Sequence, residues 1–268
     1  MRDESMQGRL IANLALLLST LLGLAMLLWP FFASAVPPLA ATLLLGVLVL
    51  VVGLGAVQGQ ELDAKGVALL AVLAALNGAL RLLPTFGGAS PIFFLLLVGG
   101  YVFGAGFGFL FGALTIFVSA IVTGGFGPWL PYQMLAAAWL GASAGLLGRL
   151  LRRWQASMAL NLAALGLLGL GWGLLYGALL NLWFWPASAD ATNLSSSGLE
   201  RVGELLSRFI IFYFATSFAY DLWRSALNLL LVLTLGGATL KILYRFQRRF
   251  YYTRLTTLKE DDYAKAVA

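Results

Sequence analysis

The sequence encodes an all-α, polytopic membrane protein, a reading that rests on three observations. Of its 268 residues, 61% are hydrophobic and 10% are charged, against about 25% charged in ordinary soluble chains. Several uncharged runs reach about 20 residues, the length at which a helix crosses the hydrocarbon core. These runs do not alternate every second residue, as the strands of a membrane barrel do. About eight spans are expected from run lengths, with both termini on the cytoplasmic side by the distribution of Lys and Arg.

Composition also removes whole classes of chemistry. There is no Cys and no His, so disulfides, thiolate nucleophiles, most zinc sites and the commonest general base are missing. Net charge is +6, but the basic residues gather at span ends, where orientation calls for them, so nucleic acid is not an expected partner. No GxxxxGK[ST] phosphate loop occurs, so the chain does not bind ATP by that route.

The elements follow in order. Arg2, Asp3, Glu4 and Arg9 precede a first span over Leu10–Trp29. Ala33-Ser34-Ala35 resembles a signal-peptidase site, but the apolar region exceeds the roughly 7–15 residues of a signal and its leader carries acids, which favours a span. Pro37 and Pro38 open a second span to about Val57, followed by the polar QGQELDAK segment, with Asp63 placed to cap the next helix. The third span, Gly66–Leu83, repeats Ala71, Ala75 and Ala79 every four residues. That spacing admits close approach of another helix, within the chain or from a partner. Asn77 and Arg81 lie near its outer end; an arginine there either serves a site or snorkels to the headgroups.

Ile92 to Val122 carries no charge over 31 residues, about 46 Å as one helix and too long for a single crossing. Two shorter spans joined by a turn near Gly104–Gly108 place Arg149, Arg152 and Arg153 on the side of the termini, as the positive-inside rule asks. The loop TGGFGPWLP then leads Trp129, Tyr132 and Gln133 into a sixth span, Pro131–Leu147. A seventh is expected over Ser157–Trp183, ending in the aromatic run NLWFWP. Ala187–Glu204 reads as a polar external loop. Phe209–Tyr220 is too short to cross and reads as an interfacial helix over the external mouth. The last span is Ser225–Tyr244, before a basic tail.

The 11 acids avoid the middle of every span, which argues against a self-powered proton symporter. Paired carboxylates, a His dyad or a metal cluster, which a membrane hydrolase would use, are not found. A binding protein remains. Its candidate ligand-facing groups are Asn77, Arg81, Trp129, Tyr132, Gln133 and Asn181, then Trp183, Tyr220, Asp221 and Arg224, because small-molecule sites combine aromatic walls with a few placed polar groups. Each also reads as a headgroup anchor or packing residue. Trp129 and Gln133, four apart, share a helix face if the helix begins early enough. Asp221 and Arg224, three apart, pair on a helix whether or not a ligand is involved.

At GFLFGALTIFVSAIVTGGFGPWLPYQMLAAAWLGASAGLLG the chain resembles the substrate-specific S-components of energy-coupling factor (ECF) importers. The likeness runs over about Ala64–Arg249 and is most specific at Gly127-Pro128-Trp129 and Gln133-Met134. Within the family it resembles the bacterial branch associated with cobalamin or unassigned vitamins. The resemblance implies a six-helix core over 61–249, two additional N-terminal spans over 1–60 and a cytoplasmic tail over 250–268. It implies a non-catalytic, cofactor-free subunit of the bacterial cytoplasmic membrane that captures a vitamin outside. That subunit would dock on a membrane coupling subunit driven by two ABC-type ATPases through Ala71, Ala75 and Ala79. Metal cargo is disfavoured, because the metal-importing members use an N-terminal histidine. A ligand-free membrane scaffold is the alternative.

Overall fold

The computed structural model describes residues 64–82, 90–185 and 198–267, together with 17–28 and scattered positions before 52. Side chains are described up to 248. The described residues form helices and no strands. They are α1 (Leu17–Leu28), α2 (Ala64–Ala79, prolonged by the 3-10 turn Leu80–Leu82), α3 (Ile92–Phe103) and α4 (Ala105–Thr123). After these come α5 (Leu130–Arg153), α6 (Met158–Phe184), α7 (Gly198–Thr216) and α8 (Phe218–Val267).

Among the described residues, five helical segments are long and apolar enough to cross a membrane, and α1 and α3 are shorter apolar helices. The protein is an integral membrane protein. Its outward faces carry Val72, Leu167, Ile211 and Leu230, whereas Asn77, Thr115, Ser119, Ser225 and Asn228 are buried. Leucine outside and small or polar residues between helices is the arrangement that lipid favours. Most of the second expected span, the Asp63 cap and most of the 58–65 and 84–91 segments fall outside the described residues.

The charge-free stretch 92–122 is indeed two helices, and the break is a single residue. Gly104 has φ +98° and ψ 175°, a conformation open in practice to glycine alone. The α3–α4 hairpin closes on itself there, and Gly108 lies against Gly100. Breaking the helix leaves the last carbonyls of α3 without intrahelical partners. Arg152 Nη1 donates to the Tyr101 carbonyl at 2.8 Å, and Gln247 Nε2 donates to that of Val102 at 2.8 Å. One helix end is thus capped from α5 and α8.

Two glycine seams set how closely the helices approach. On α5, Ala137, Gly141, Gly145 and Gly148 meet the hairpin backbone at Gly112, at Gly100 with Gly108, at Gly104–Ala105 and at Tyr101 respectively. On α6, Gly169, Gly173 and Gly177 meet Asn228, Ser225 and Asp221 of the antiparallel α8. Asn77 pins a third junction: its Nδ2 donates to the Ile92 carbonyl at 3.1 Å and to Thr115 Oγ1 at 3.2 Å. On the opposite side of α2, Ala71, Ala75 and Ala79 are exposed. α1 joins the core through Trp139 Nε1, which donates to Thr20 Oγ1 at 3.1 Å.

Some boundaries differ from the expectation. Residues 198–204, taken as loop, are helical; the Glu204–Arg208 pair at 2.6 Å supports a turn whose polarity hid its periodicity. The segment 209–220 is therefore the second half of α7, a turn at Ser217 and the start of α8. α7 is not among the helices apolar enough to cross. α5 also continues through Arg149, Arg152 and Arg153 rather than stopping before them.

Gly141→Ala sets a methyl group on the Gly108 carbonyl, where no flexible side chain can yield. Overpacking of this kind costs about 1–3 kcal/mol. We expect a lower melting temperature in detergent, whereas Gly171→Ala, which meets open space, leaves it near the parent value.

Candidate functional site

A cavity of about 390 Å³ opens at the end of the bundle opposite Gly104 and the arginines of α5. Its walls come from the start of α5 (Trp129, Gln133), the end of α6 (Gly177, Leu180, Asn181, Trp183, Phe184) and the α7–α8 junction (Ser217, Tyr220, Asp221, Arg224). Seven of the ten ligand-facing residues expected from sequence therefore share one cavity.

The loop before α5 builds the first wall. The chain leaves α4 through left-handed Gly124, with φ +67°. Gly127 packs beneath the Trp129 indole, where a Cβ would strike the ring. Trp129 Nε1 donates to the Gly125 carbonyl at 3.3 Å, fixing the indole over the loop. Pro131 suits the first turn of α5 because its missing N–H would have no helical partner. Gln133 N donates to the Trp129 carbonyl at 3.1 Å, so the two residues do stack on one face. The Gln133 amide is half-buried and, among the described residues, has no hydrogen-bond partner. Trp183 lies edge-on to Trp129, with centroids 6.2 Å apart, and Tyr132 supports Trp183 from below at 5.9 Å. Tyr132 is buried and backs the wall rather than lining it.

The floor is charged. Arg224 Nη1 lies 2.8 Å from Asp221 Oδ1, and the side chains are 18% and 2% exposed respectively. The same Nη1 donates to the Gly173 carbonyl at 3.1 Å, and the guanidinium sits 5.6 Å from the Phe93 centroid and 5.5 Å from that of Tyr176. Asp221 Oδ2 rests against Gly177 and has no hydrogen-bond partner. The pair anticipated as a local helix contact is present, and it is also buried at the base of a cavity. Gly177 is what makes room for it: any Cβ there would overlap the carboxylate.

Polar groups beside the floor are engaged with one another. Ser217 Oγ donates to Asn181 Oδ1 at 3.1 Å, and Asn181 Nδ2 donates to the Gly177 carbonyl at 2.8 Å. Tyr213 Oη donates to the Leu174 carbonyl at 3.4 Å. Burial first, and then the nearby Asp221 carboxylate, push the Tyr213 phenol up to about 12, so it remains a protonated donor at neutral pH.

Asn77 and Arg81 do not line the cavity. Asn77 is a buried interhelical pin, and Arg81 Nη1 donates to Ser119 Oγ at 3.3 Å. Gly177, Ser217, Phe184 and the Tyr176 flank were not anticipated. The glycine series of α6, LGLLGLGWGLLYG, was the available signal for Gly177.

A membrane-embedded helical bundle with an aromatic cavity over a buried ion pair defines a small-molecule-binding membrane protein. Residues 65–236, well over half of the chain, match the family described as ECF transporter, substrate-specific component, and the chain belongs to that family. It is thus a substrate-specific membrane subunit of ECF importers. No curated protein and no solved structure matches the chain.

Removing one partner of a buried ion pair leaves the other charge uncompensated, at a cost of about 3–5 kcal/mol. Arg224→Met should accordingly lower the thermal midpoint of the ligand-free protein strongly. The double change Asp221→Asn with Arg224→Met should recover much of it, as read by melting in detergent without added solute.

Proposed function

We propose that this subunit captures a vitamin in the external cavity for import across the bacterial cytoplasmic membrane, with both termini on the cytoplasmic side. The carrying observation is the convergence of Trp129, Gln133, Trp183, Tyr220, Asp221 and Arg224 on one cavity. The match to the substrate-specific component of ECF transporters supports this reading, in which a separate module supplies the energy. Capture here is a matter of binding: the aromatic rim provides apolar area, and the Gln133 amide and the ion pair provide orientation. The cavity volume of about 390 Å³ falls within the roughly 300–1,000 Å³ seen for small-molecule sites.

In this reading the loaded subunit docks on a membrane coupling subunit through Ala71, Ala75 and Ala79, and two ATPases drive release. The exposed small-residue face supports it, because methyl side chains let a partner helix approach closely. The domain division is 1–60, 61–249 and 250–268; the family match begins at residue 65, after the two extra N-terminal segments.

The test is reconstitution in vesicles. With coupling subunit and ATPases, a vitamin should accumulate when ATP is present; the solitary chain should accumulate none. Ala75→Trp should abolish assembly and uptake while leaving binding in place, and Trp129→Ala or Gln133→Ala should weaken binding by about tenfold or more. Intact assembly with no solute bound by any preparation would favour a ligand-free scaffold instead.

A further inference from the structure

We propose that the pole of the bundle opposite the cavity binds the phosphate headgroup of an anionic phospholipid. Arg149, Arg152 and Arg153 at the end of α5 and Lys241, Arg245 and Arg248 of α8 hold the headgroup, and its acyl chains run along the apolar residues one turn below. This inference concerns a face that solute capture does not use, and it stands independently of the import reading.

All six cations are exposed. Arg149 and Arg153 are four apart on α5, and Lys241, Arg245 and Arg248 recur at four and three on α8, so each set shares a helix face. Arg152 joins the two sets. Its Nη1 donates to the Tyr101 carbonyl at 2.8 Å and to Tyr244 Oη at 3.5 Å, and its guanidinium lies 5.9 Å from the Tyr101 ring centroid. One side chain of α5 thus touches the end of α3 and the basic turn of α8. That tie uses Nη1, and a guanidinium has further N–H groups with which to donate.

The charge at this pole is uncompensated. Among the residues whose side chains are described, the acids are Glu200, Glu204 and Asp221, on α7 and in the first turn of α8. Both described salt bridges use those acids, with Arg208 and Arg224 as their partners. Arg149, Arg153, Lys241, Arg245 and Arg248 have no hydrogen bond or ion pair among the described residues. Residues 249–268 add four basic and three acidic residues, so the tail does not offset the patch. Orientation in the bilayer asks for basic residues near span ends. It does not ask for two basic faces to be bridged by a buttressed arginine with no acid between them. Fixed like charges repel one another, and an anion seated among them relieves that repulsion.

The surroundings favour a lipid over a soluble anion. Leu146 and Leu150 share the α5 face of Arg149 and Arg153, and Ile242 and Phe246 flank Arg245 on α8; all four are exposed. Trp154, 65% exposed, follows directly on Arg153, and indole rings settle at the headgroup level of a bilayer. Cations stacked above apolar surface on the same faces match a molecule with an anionic head and hydrocarbon chains. Basic clusters of this size at helix ends are the usual complement of acidic lipid headgroups.

The test uses the full-length protein in neutral detergent, titrated with phosphatidylglycerol, cardiolipin or phosphatidylcholine. Bound lipid is counted by native mass spectrometry, and melting is followed in parallel. Either anionic lipid should be retained and should raise the melting temperature, whereas phosphatidylcholine and free inorganic phosphate should do neither. Raising the salt should weaken retention. The combined change Arg149→Gln, Arg153→Gln and Arg245→Gln leaves Arg152 to cap α3, so its melting temperature without lipid should match that of the parent. Its affinity for the anionic lipids should fall by about fivefold per residue removed, roughly hundredfold in all. The corresponding triple change to Lys, which keeps the charge, should bind within a few-fold of the parent. Equal retention of phosphatidylglycerol and phosphatidylcholine by the parent protein overturns the proposal. So does an unchanged affinity in the Gln variant, or free phosphate reproducing the thermal shift. Loss of assembly with the coupling subunit in the Gln variant, with no lipid preference in the parent, would assign the patch to a protein partner instead.

Discussion

Direct backbone-to-backbone contact between helices is the constraint from which the rest of this structure follows. Lipid offers no competing water, so association of helices rests on close packing and on interhelical hydrogen bonds. The glycines of α5 and α6 supply the first and make the second possible. Where Gly169 and Gly173 leave the α6 backbone bare, its carbonyls accept from Asn228 and Arg224 of α8. A side chain at those positions would push α8 away and take the acceptors out of reach. The polar residues of α8 therefore do not float in an apolar interior; they read the backbone of their neighbour.

The same seam explains how a charged pair persists among apolar helices. Asp221 is accommodated because Gly177 has no side chain, and Arg224 is held by a carboxylate, a carbonyl and two aromatic faces. The pair is close to electrically neutral as a unit, yet it keeps hydrogen-bonding capacity in reserve. Around it, Trp129 and Trp183 line the opening with apolar surface, and Gln133 lies beside them.

Much of this was legible in the residues. The all-helical membrane class follows from run length and charge alone, and charge also required the 92–122 stretch to turn back on itself. Most of the cavity wall was legible too, because Trp129, Gln133, Trp183 and Tyr220 cluster at helix ends on one side. The start of α7 was not, since Glu200, Arg201 and Glu204 give residues 198–204 the look of a loop until the Glu204–Arg208 pair one turn apart is seen. Asn77 was ambiguous for a different reason. An amide near the outer end of a span has the same appearance in sequence whether it faces a ligand or three packed helices. The partner residues that decide between these, Ile92 and Thr115, are 15 and 38 positions away.

The capping of α3 has a mechanical consequence. Because its terminal carbonyls are held by Arg152 and Gln247, α3, α5 and α8 are tied into one knot, with Gly104 at its turn. The cavity wall formed by Trp129 and Ser217 lies at the opposite pole of the bundle from that knot.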